Sequence, residues 1–331
     1  MTERGRMEHQ DRFVPPSWAV RELALVQDLV RRELPAALAP FMERAGYALP
    51  GHERFALRPL LLLSAARHYG SMGERPVRLA AAVQMIHLAS LLHDRLGQSG
   101  PAESARGALP EAGDGHRRES TDILVGDFLF AKASHVVIED GDVVIIEDMI
   151  RTSSESAEAK ARILSMDEGI VPMDPLSCFD AFANKLSLLL ALSVRVGAVL
   201  GGAALSERQA LSDFGLSLGR ALRIFEDSRL WLGSEDRGAF SAQETAVTYP
   251  LLLLWGKEGK EAWEGVRRQL SESPERSLPS IRIRLDSSGY LDASLSEARR
   301  HAEGAAERLE VLAPTEERRL LQDVVLTSLL P

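Results

Sequence analysis

The chain has 331 residues, 45% of them apolar, with a net charge of −9 and one cysteine, Cys178. An acidic chain whose arginine pairs, Arg117-Arg118 and Arg299-Arg300, stand isolated has no basic stripe, which excludes a nucleic-acid surface. A lone cysteine excludes a disulfide framework and any multi-cysteine metal site.

Met1 to Arg12 is charged and lacks an apolar core, so it does not read as a secretory signal. Residues 1–20 read as a loosely ordered N-terminal segment of a single domain spanning 1–331. Apolar runs of helical period then follow at Leu57 to His68, Val77 to Leu92, Ile123 to Ile138, Phe179 to Leu205, Gln209 to Leu230 and Thr248 to Trp255. Ala and Leu dominate them, aromatic content is 5%, and no alternating strands appear. These runs predict an all-α fold, a bundle of long helices around a buried central pair.

Breakers separate the runs. Gln98 to Ser120 carries Gly100-Pro101, Gly107, Pro110, Gly113 and Gly115 and reads as a long irregular loop. Ser153 to Pro175 is polar and ends in Val171-Pro172-Met173-Asp174-Pro175, so it reads as a connection. Leu232 to Thr245 reads as another loop, and Ser271 to Ser280 is interrupted by Pro274 and Pro279. Loops of this length in a helical domain are often functional lids. Leu186 to Leu205 is nearly all apolar, but Arg195 sits in its middle. A membrane span would hold that arginine near the bilayer centre at a cost of several kcal/mol. A buried helix is the better reading, and the chain is read as soluble and cytoplasmic, with no transmembrane segment.

Four segments carry candidate chemistry. Arg58-Pro59 opens an apolar helix, where Pro fits the first turn and Arg58 stands at the positive helix end that favours phosphate. His87, Ser90 and Asp94 fall three and four residues apart and so share one helical stripe. A carboxylate directly after Leu91-Leu92 must be paired, metal-bound or at a helix end. Asp127, inside Gly126-Asp127-Phe128-Leu129, either pairs with Lys132 or another cation or lines a polar cleft. Glu226 and Asp227 follow Arg223 by three and four residues; a local ion pair and a magnesium site both fit that spacing.

In order and spacing these segments resemble the trans-isoprenyl diphosphate synthases, the polyprenyl synthetase family, from about Arg54 to Leu329. The family's Gly-Lys-Arg-x-Arg-Pro segment is similar to Arg54-Phe55-Ala56-Leu57-Arg58-Pro59. Its first Asp-Asp-x-x-Asp motif, preceded by histidine and serine, is similar to His87 through Gln98. Gly126 to Leu129 matches Gly-Asp-x-Leu, and Lys185-Leu186-Ser187 resembles Lys-Thr-Ala. Leu222 to Leu230 resembles Phe-Gln-x-x-Asp-Asp-x-x-Asp, and Thr245 to Pro250 resembles Gly-Lys-x-Thr-x-Pro. Arg106, followed by Gly107 and Pro110, matches the arginine of Arg-Arg-Gly-x-Pro-Thr. The resemblance implies an isoprenoid synthase-type helical bundle around a central cavity. It also implies a chemistry in which Mg2+ ions on the acidic motifs and nearby Lys/Arg release an allylic diphosphate, and isopentenyl diphosphate attacks the resulting cation.

By the resemblance, Arg58, His87, Arg95, Arg106 and Lys185 are diphosphate-binding candidates. Asp94, Glu226 and Asp227 are metal candidates. Ala89, five residues before Asp94, is a candidate for the chain-length pocket. The departures run against the chemistry. Arg95 and Gln98 replace acids in the first motif, and Leu230 replaces the last acid of the second. Phe55 and Ala246 stand where lysines grip diphosphate, Leu186 replaces a threonine and Arg223 a glutamine. A cationic Arg95 beside Asp94 repels Mg2+, though it can bind phosphate directly. The expectation is therefore a non-catalytic or severely impaired homologue, a subunit or modulator of a prenyl diphosphate synthase. Its partner is another copy of itself or an active synthase. The alternatives are an active prenyltransferase using Mg2+ through altered ligands, and an isoprenoid diphosphate binding protein.

Overall fold

The computed structural model describes residues 15–36, 38, 57–94, 114–167, 174–232 and 247–328. Among them are twelve α-helices and no strand. The first seven are α1 (Ser17–Glu33), α2 (Leu57–His68), α3 (Glu74–Asp94), α4 (Asp114–Asp140), α5 (Val143–Asp167), α6 (Pro175–Leu200) and α7 (Leu205–Leu232). Five more follow: α8 (Tyr249–Glu258), α9 (Lys260–Glu272), α10 (Pro274–Ser287), α11 (Tyr290–Arg308) and α12 (Glu316–Ser328). The all-α bundle expected from the apolar periodicity is the fold observed.

The buried central pair is α6 and α7. They pack along each other, and α2, α3 and α5 cover α6 while α11 covers α7. Helix α6 is opened by Asp174, whose carboxylate accepts hydrogen bonds from Leu176 N and Ser177 N at 3.0 Å, with Pro175 in the first turn. Small residues let the pair approach closely. A Cβ on Gly219 would lie 2.3 Å from Ser187 Cα, which no side chain tolerates.

Helix α6 is long and apolar enough to cross a membrane by length and composition. It is instead packed inside the bundle, with Leu189, Leu190, Leu192 and Val194 all buried. Arg195 is matched by the buried Asp148 of α5, which also accepts from Arg151. The pair explains how an arginine sits in an apolar helix without exposing it.

Three expected breaks are corrected. Helix α5 runs through Asp167, so most of Ser153 to Pro175 is helix rather than connection. No Gly or Pro interrupts Val143 to Asp167, and Glu, Ala, Lys and Arg are good helix formers. The polarity there marks an exposed face, not a loop. Helix α4 begins at Asp114, inside the segment read as loop. Between Ser271 and Ser280 the interruption is confined to Ser273: Pro274 opens α10, and Pro279 lies within it. Helix α1 starts at Ser17, within the segment read as loosely ordered.

Two apolar clusters make the core. One joins α1, α2, α3 and α4 to Leu189–Ala203 and Leu211–Leu222 on the central pair. The other gathers Cys178, Phe179, Ala183, Ile224, Phe225 and Trp231 with α8 to α11. Lys185 and Ser187 on α6 and Arg223 on α7 lie where one cluster gives way to the other.

Candidate functional site

Asp94 is the last residue of α3, where backbone carbonyls make the helix end negative. Two cations meet it there. Lys160 Nζ of α5 lies 2.6 Å from Asp94 Oδ1, and Lys185 Nζ of α6 lies 2.6 Å from Asp94 Oδ2. Lys160 also reaches the Ser90 carbonyl at 3.4 Å. Both carboxylate oxygens are thus engaged by ammonium groups from two different helices.

One residue earlier, His93 Nε2 stands 3.2 Å from Asp127 Oδ1 on α4. Gly126 makes this possible, because a Cβ at that position would fall 2.4 Å from His93 Nε2. Asp127 therefore faces His93 and does not pair with Lys132. Lys132 is taken by Glu33 of α1 at 2.6 Å.

Arg58 lies in the first turn of α2 and is 8% exposed, with no hydrogen-bond partner for its Nε. Burial lowers its pKa to about 10, and the nearby Glu226 carboxylate partly opposes that. His87 is pushed well below the usual histidine range by burial and by the charges of Arg58 and Lys185. It is neutral at pH 7 and can still donate one ring N–H. Ala89 is buried in the larger core cluster.

On α7 the two acids diverge. Asp227 is 2% exposed. Its Oδ2 accepts from Tyr249 N at 2.9 Å, and its Oδ1 lies 3.0 Å from Arg223 Nε. Those last two atoms are close but misaligned for a hydrogen bond. The contact to Tyr249 N satisfies an orphan donor at the start of α8, where Thr248 makes no side-chain cap. Asp227 is therefore a long-range helix cap. Burial raises its carboxyl to about 6 against the opposing pull of Arg223 and the Tyr249 amide. Glu226 is solvent-exposed, yet enough protein surrounds it to raise its carboxyl, with Arg223, Arg58 and Arg229 opposing the rise. The sequence reading of Arg223 as a local partner holds for Asp227.

The site thus gathers Arg58, His87, Asp94, Lys185 and Glu226 from α2, α3, α6 and α7, and turns Asp227 away toward α8. Arg95 and Arg106 lie outside the described residues, as do Phe55, Gln98 and Ala246. Lys160 is the contributor that sequence reasoning missed, because its polar segment was read as a connection. The unbroken helical composition from Val143 to Asp167 is the signal that finds it.

Among the described residues, two of the three acids named as metal candidates are engaged by other groups. Among the described residues no three His, Cys, Asp or Glu side chains are placed to share a metal. Mg2+ requires oxygen ligands in octahedral geometry, and each carboxylate must be free to face it. Asp94 is occupied by two ammonium groups, and Asp227 is spent on a backbone amide and Arg223.

The all-α bundle is similar to solved isoprenyl diphosphate synthases. The decaprenyl diphosphate synthase of Rhodobacter capsulatus has 25% sequence identity and a TM-score of 0.73, over 94% of this chain and 96% of that one. The polyprenyl synthase of Caulobacter crescentus, complexed with calcium and isoprenyl diphosphate, has 27% identity and a TM-score of 0.73 over the same shares. A farnesyl diphosphate synthase of Geobacillus stearothermophilus is 31% identical over 269 residues, 75% of this chain and 87% of that protein. Residues 47–239 match the family model for polyprenyl synthetase. The chain belongs to the polyprenyl synthetase family of isoprenoid biosynthesis.

Proposed function

We propose that this protein is a single-domain, non-catalytic member of its family, acting in the cytoplasm as a subunit or modulator of a prenyl diphosphate synthase. The carrying observation is the clamp of Lys160 and Lys185 on Asp94 at 2.6 Å each. A divalent ion approaching Asp94 meets two fixed positive charges and must displace both. With Arg95 and Gln98 in the first motif and Asp227 committed to α8, the metal-dependent ionisation of an allylic diphosphate has no carboxylate pair to rest on.

A partner role is supported by apolar side chains left open on two adjacent helices. Leu124 and Ile138 of α4 and Val143 and Ile150 of α5 are each 60% exposed or more. Exposed apolar side chains of this size are compatible with association with a second subunit.

The test uses the purified full chain with Mg2+, isopentenyl diphosphate and allylic diphosphates of several lengths. No elongation by the chain alone is expected, together with a change in rate or product length when it is mixed with an active synthase from the same source. Robust elongation by the chain alone overturns the proposal. A second reading, turnover through altered ligands, draws on the exposed Glu226 carboxylate beside Arg58. It requires that alanine at Glu226 and Asp227 abolish that elongation.

A further inference from the structure

We infer that Lys160 is a built-in substitute for a metal ion, and that Lys160 and Lys185 together hold a diphosphate-terminated ligand without any divalent cation. The inference rests on the non-catalytic reading of the same site but is tested separately from it.

Two ammonium groups converge on one carboxylate, Asp94. The group as a whole keeps one positive charge. Each ammonium carries three N–H donors, and Asp94 takes one from each. Lys160 spends a further, longer contact on Ser90 O at 3.4 Å. Donors therefore remain, and both side chains stay open, at 26% and 30% exposure. Asp94 brings the two lysines together on one carboxylate, so that their remaining donors are already held near each other and cost little further ordering.

The surroundings carry the same sign. Arg58 is buried with an unpartnered Nε, a state that leaves a guanidinium short of the acceptors it gives up on leaving water. Its charge and that of Lys185 both act on His87, so the three groups lie within electrostatic reach of one another. Against Arg58, Lys160 and Lys185 stand Asp94 and Glu226, while Arg223 and Asp227 neutralise each other. An excess of cation with unspent donors is matched by a polyanion, and a diphosphate supplies several acceptor oxygens on one small group.

A metal ordinarily does this work by bridging a carboxylate to phosphate oxygens. Here the bridging charge is covalently attached: Lys160 touches the carboxylate on one side and offers donors on the other. A ligand binding this way needs no metal to neutralise its charge.

The experiment is calorimetric titration of the full chain with inorganic diphosphate and with a thio-linked allylic diphosphate analogue, each in excess chelator and again with Mg2+. Affinity in chelator is expected within about threefold of that in Mg2+. Lys160→Met should weaken binding about tenfold or more, the loss of one charge-assisted hydrogen bond, and Lys160→Arg should keep it within about threefold. Tighter binding of the analogue than of inorganic diphosphate assigns the site to a prenyl ligand; equal binding assigns it to diphosphate itself. Both support the inference.

Binding that appears with Mg2+ alone overturns the inference, as does an Lys160→Met variant with wild-type affinity or no binding under either condition. If Lys160→Met fails to fold, the wild-type comparison in chelator and Mg2+ decides by itself. Turnover in the elongation assay would sink the non-catalytic reading and leave metal-free binding to be judged on these titrations.

Discussion

Replacing Asp94 with asparagine separates a clamp from an idle metal ligand, because the two roles predict opposite signs. The amide keeps the size of the side chain and removes its charge. Asp94 is 12% exposed, and it balances Lys160 and Lys185 at 2.6 Å each. Unit charges about 4 Å apart attract by about 4 kcal/mol at the effective dielectric near a protein surface. Both lysines are a quarter to a third open to water, which reduces each contact to about 1 kcal/mol. Loss of both contacts, with two ammonium groups left facing each other, gives a destabilisation of about 1–3 kcal/mol. For a chain of this size that lowers Tm by about 1–4 °C. Scanning calorimetry in chelator at low salt measures it, and about 0.5 M salt should shrink the loss by screening. A free metal ligand within an acidic cluster behaves otherwise, since removing one acid without metal relieves repulsion and leaves Tm unchanged or higher. An unchanged or raised Tm for Asp94→Asn in chelator refutes the clamp.

Asp227 titrates in the folded protein near 6, above its ordinary 3.8. The folded state therefore holds that proton more tightly, and the stability it adds is full below about pH 4 and lost as pH rises through about 6. The unfolding free energy of the wild type relative to Asp227→Asn should fall by about 2–3 kcal/mol between pH 4 and pH 7 in denaturant titrations; a constant difference contradicts the assignment. Gly219→Ala places a methyl 2.3 Å from Ser187 Cα and should cost about 1–3 kcal/mol in thermal stability as α6 and α7 part, whereas a neutral change would rule out their close approach. Arg195→Met leaves the 6%-exposed Asp148 with Arg151 alone and should cost about 2 kcal/mol or more, most of it recovered by adding Asp148→Leu. If the double variant is no more stable than the single one, the cost does not come from the stranded carboxylate.

The parts of this protein that could be read from sequence are those set by local chemistry. Helix α2 has the bounds its apolar run gave, Leu57 and His68, because a long Leu-Ala stretch opened by Pro59 leaves the backbone little alternative. The central pair was readable because α6 is apolar on nearly every face and α7 carries an apolar stripe through Leu211, Phe214, Leu218, Leu222 and Phe225, all buried. Arg58, His87, Asp94, Lys185 and Glu226 were named as candidates from the family resemblance, and the structure brings them near one another. Other features depend on contacts between distant residues. Lys160 is separated from Ser90 by 70 positions, and its own segment is polar, so nothing local tells a solvent face from a site face. Asp227 caps a helix 22 residues further on, which no i,i+4 pattern reports. The Arg223–Asp227 pair could be anticipated, but the amide that takes the other oxygen could not.

The acids that remain in the two motifs persist with different duties. A buried carboxylate without a metal needs another partner, since an unpaired buried charge costs several kcal/mol. Asp227 meets that requirement by taking the Tyr249 amide and Arg223, and Asp94 meets it by taking two lysines. Each solution makes the residue necessary for stability. Once Lys160 and Lys185 are held by Asp94, any one of the three becomes costly to change alone, because the other two are left unbalanced. The same ammonium groups oppose a returning divalent ion. On the proposed non-catalytic reading, a clamp of this kind takes the place of a metal while keeping its charge, and a surplus positive charge beside the central pair is what a phosphorylated ligand would meet.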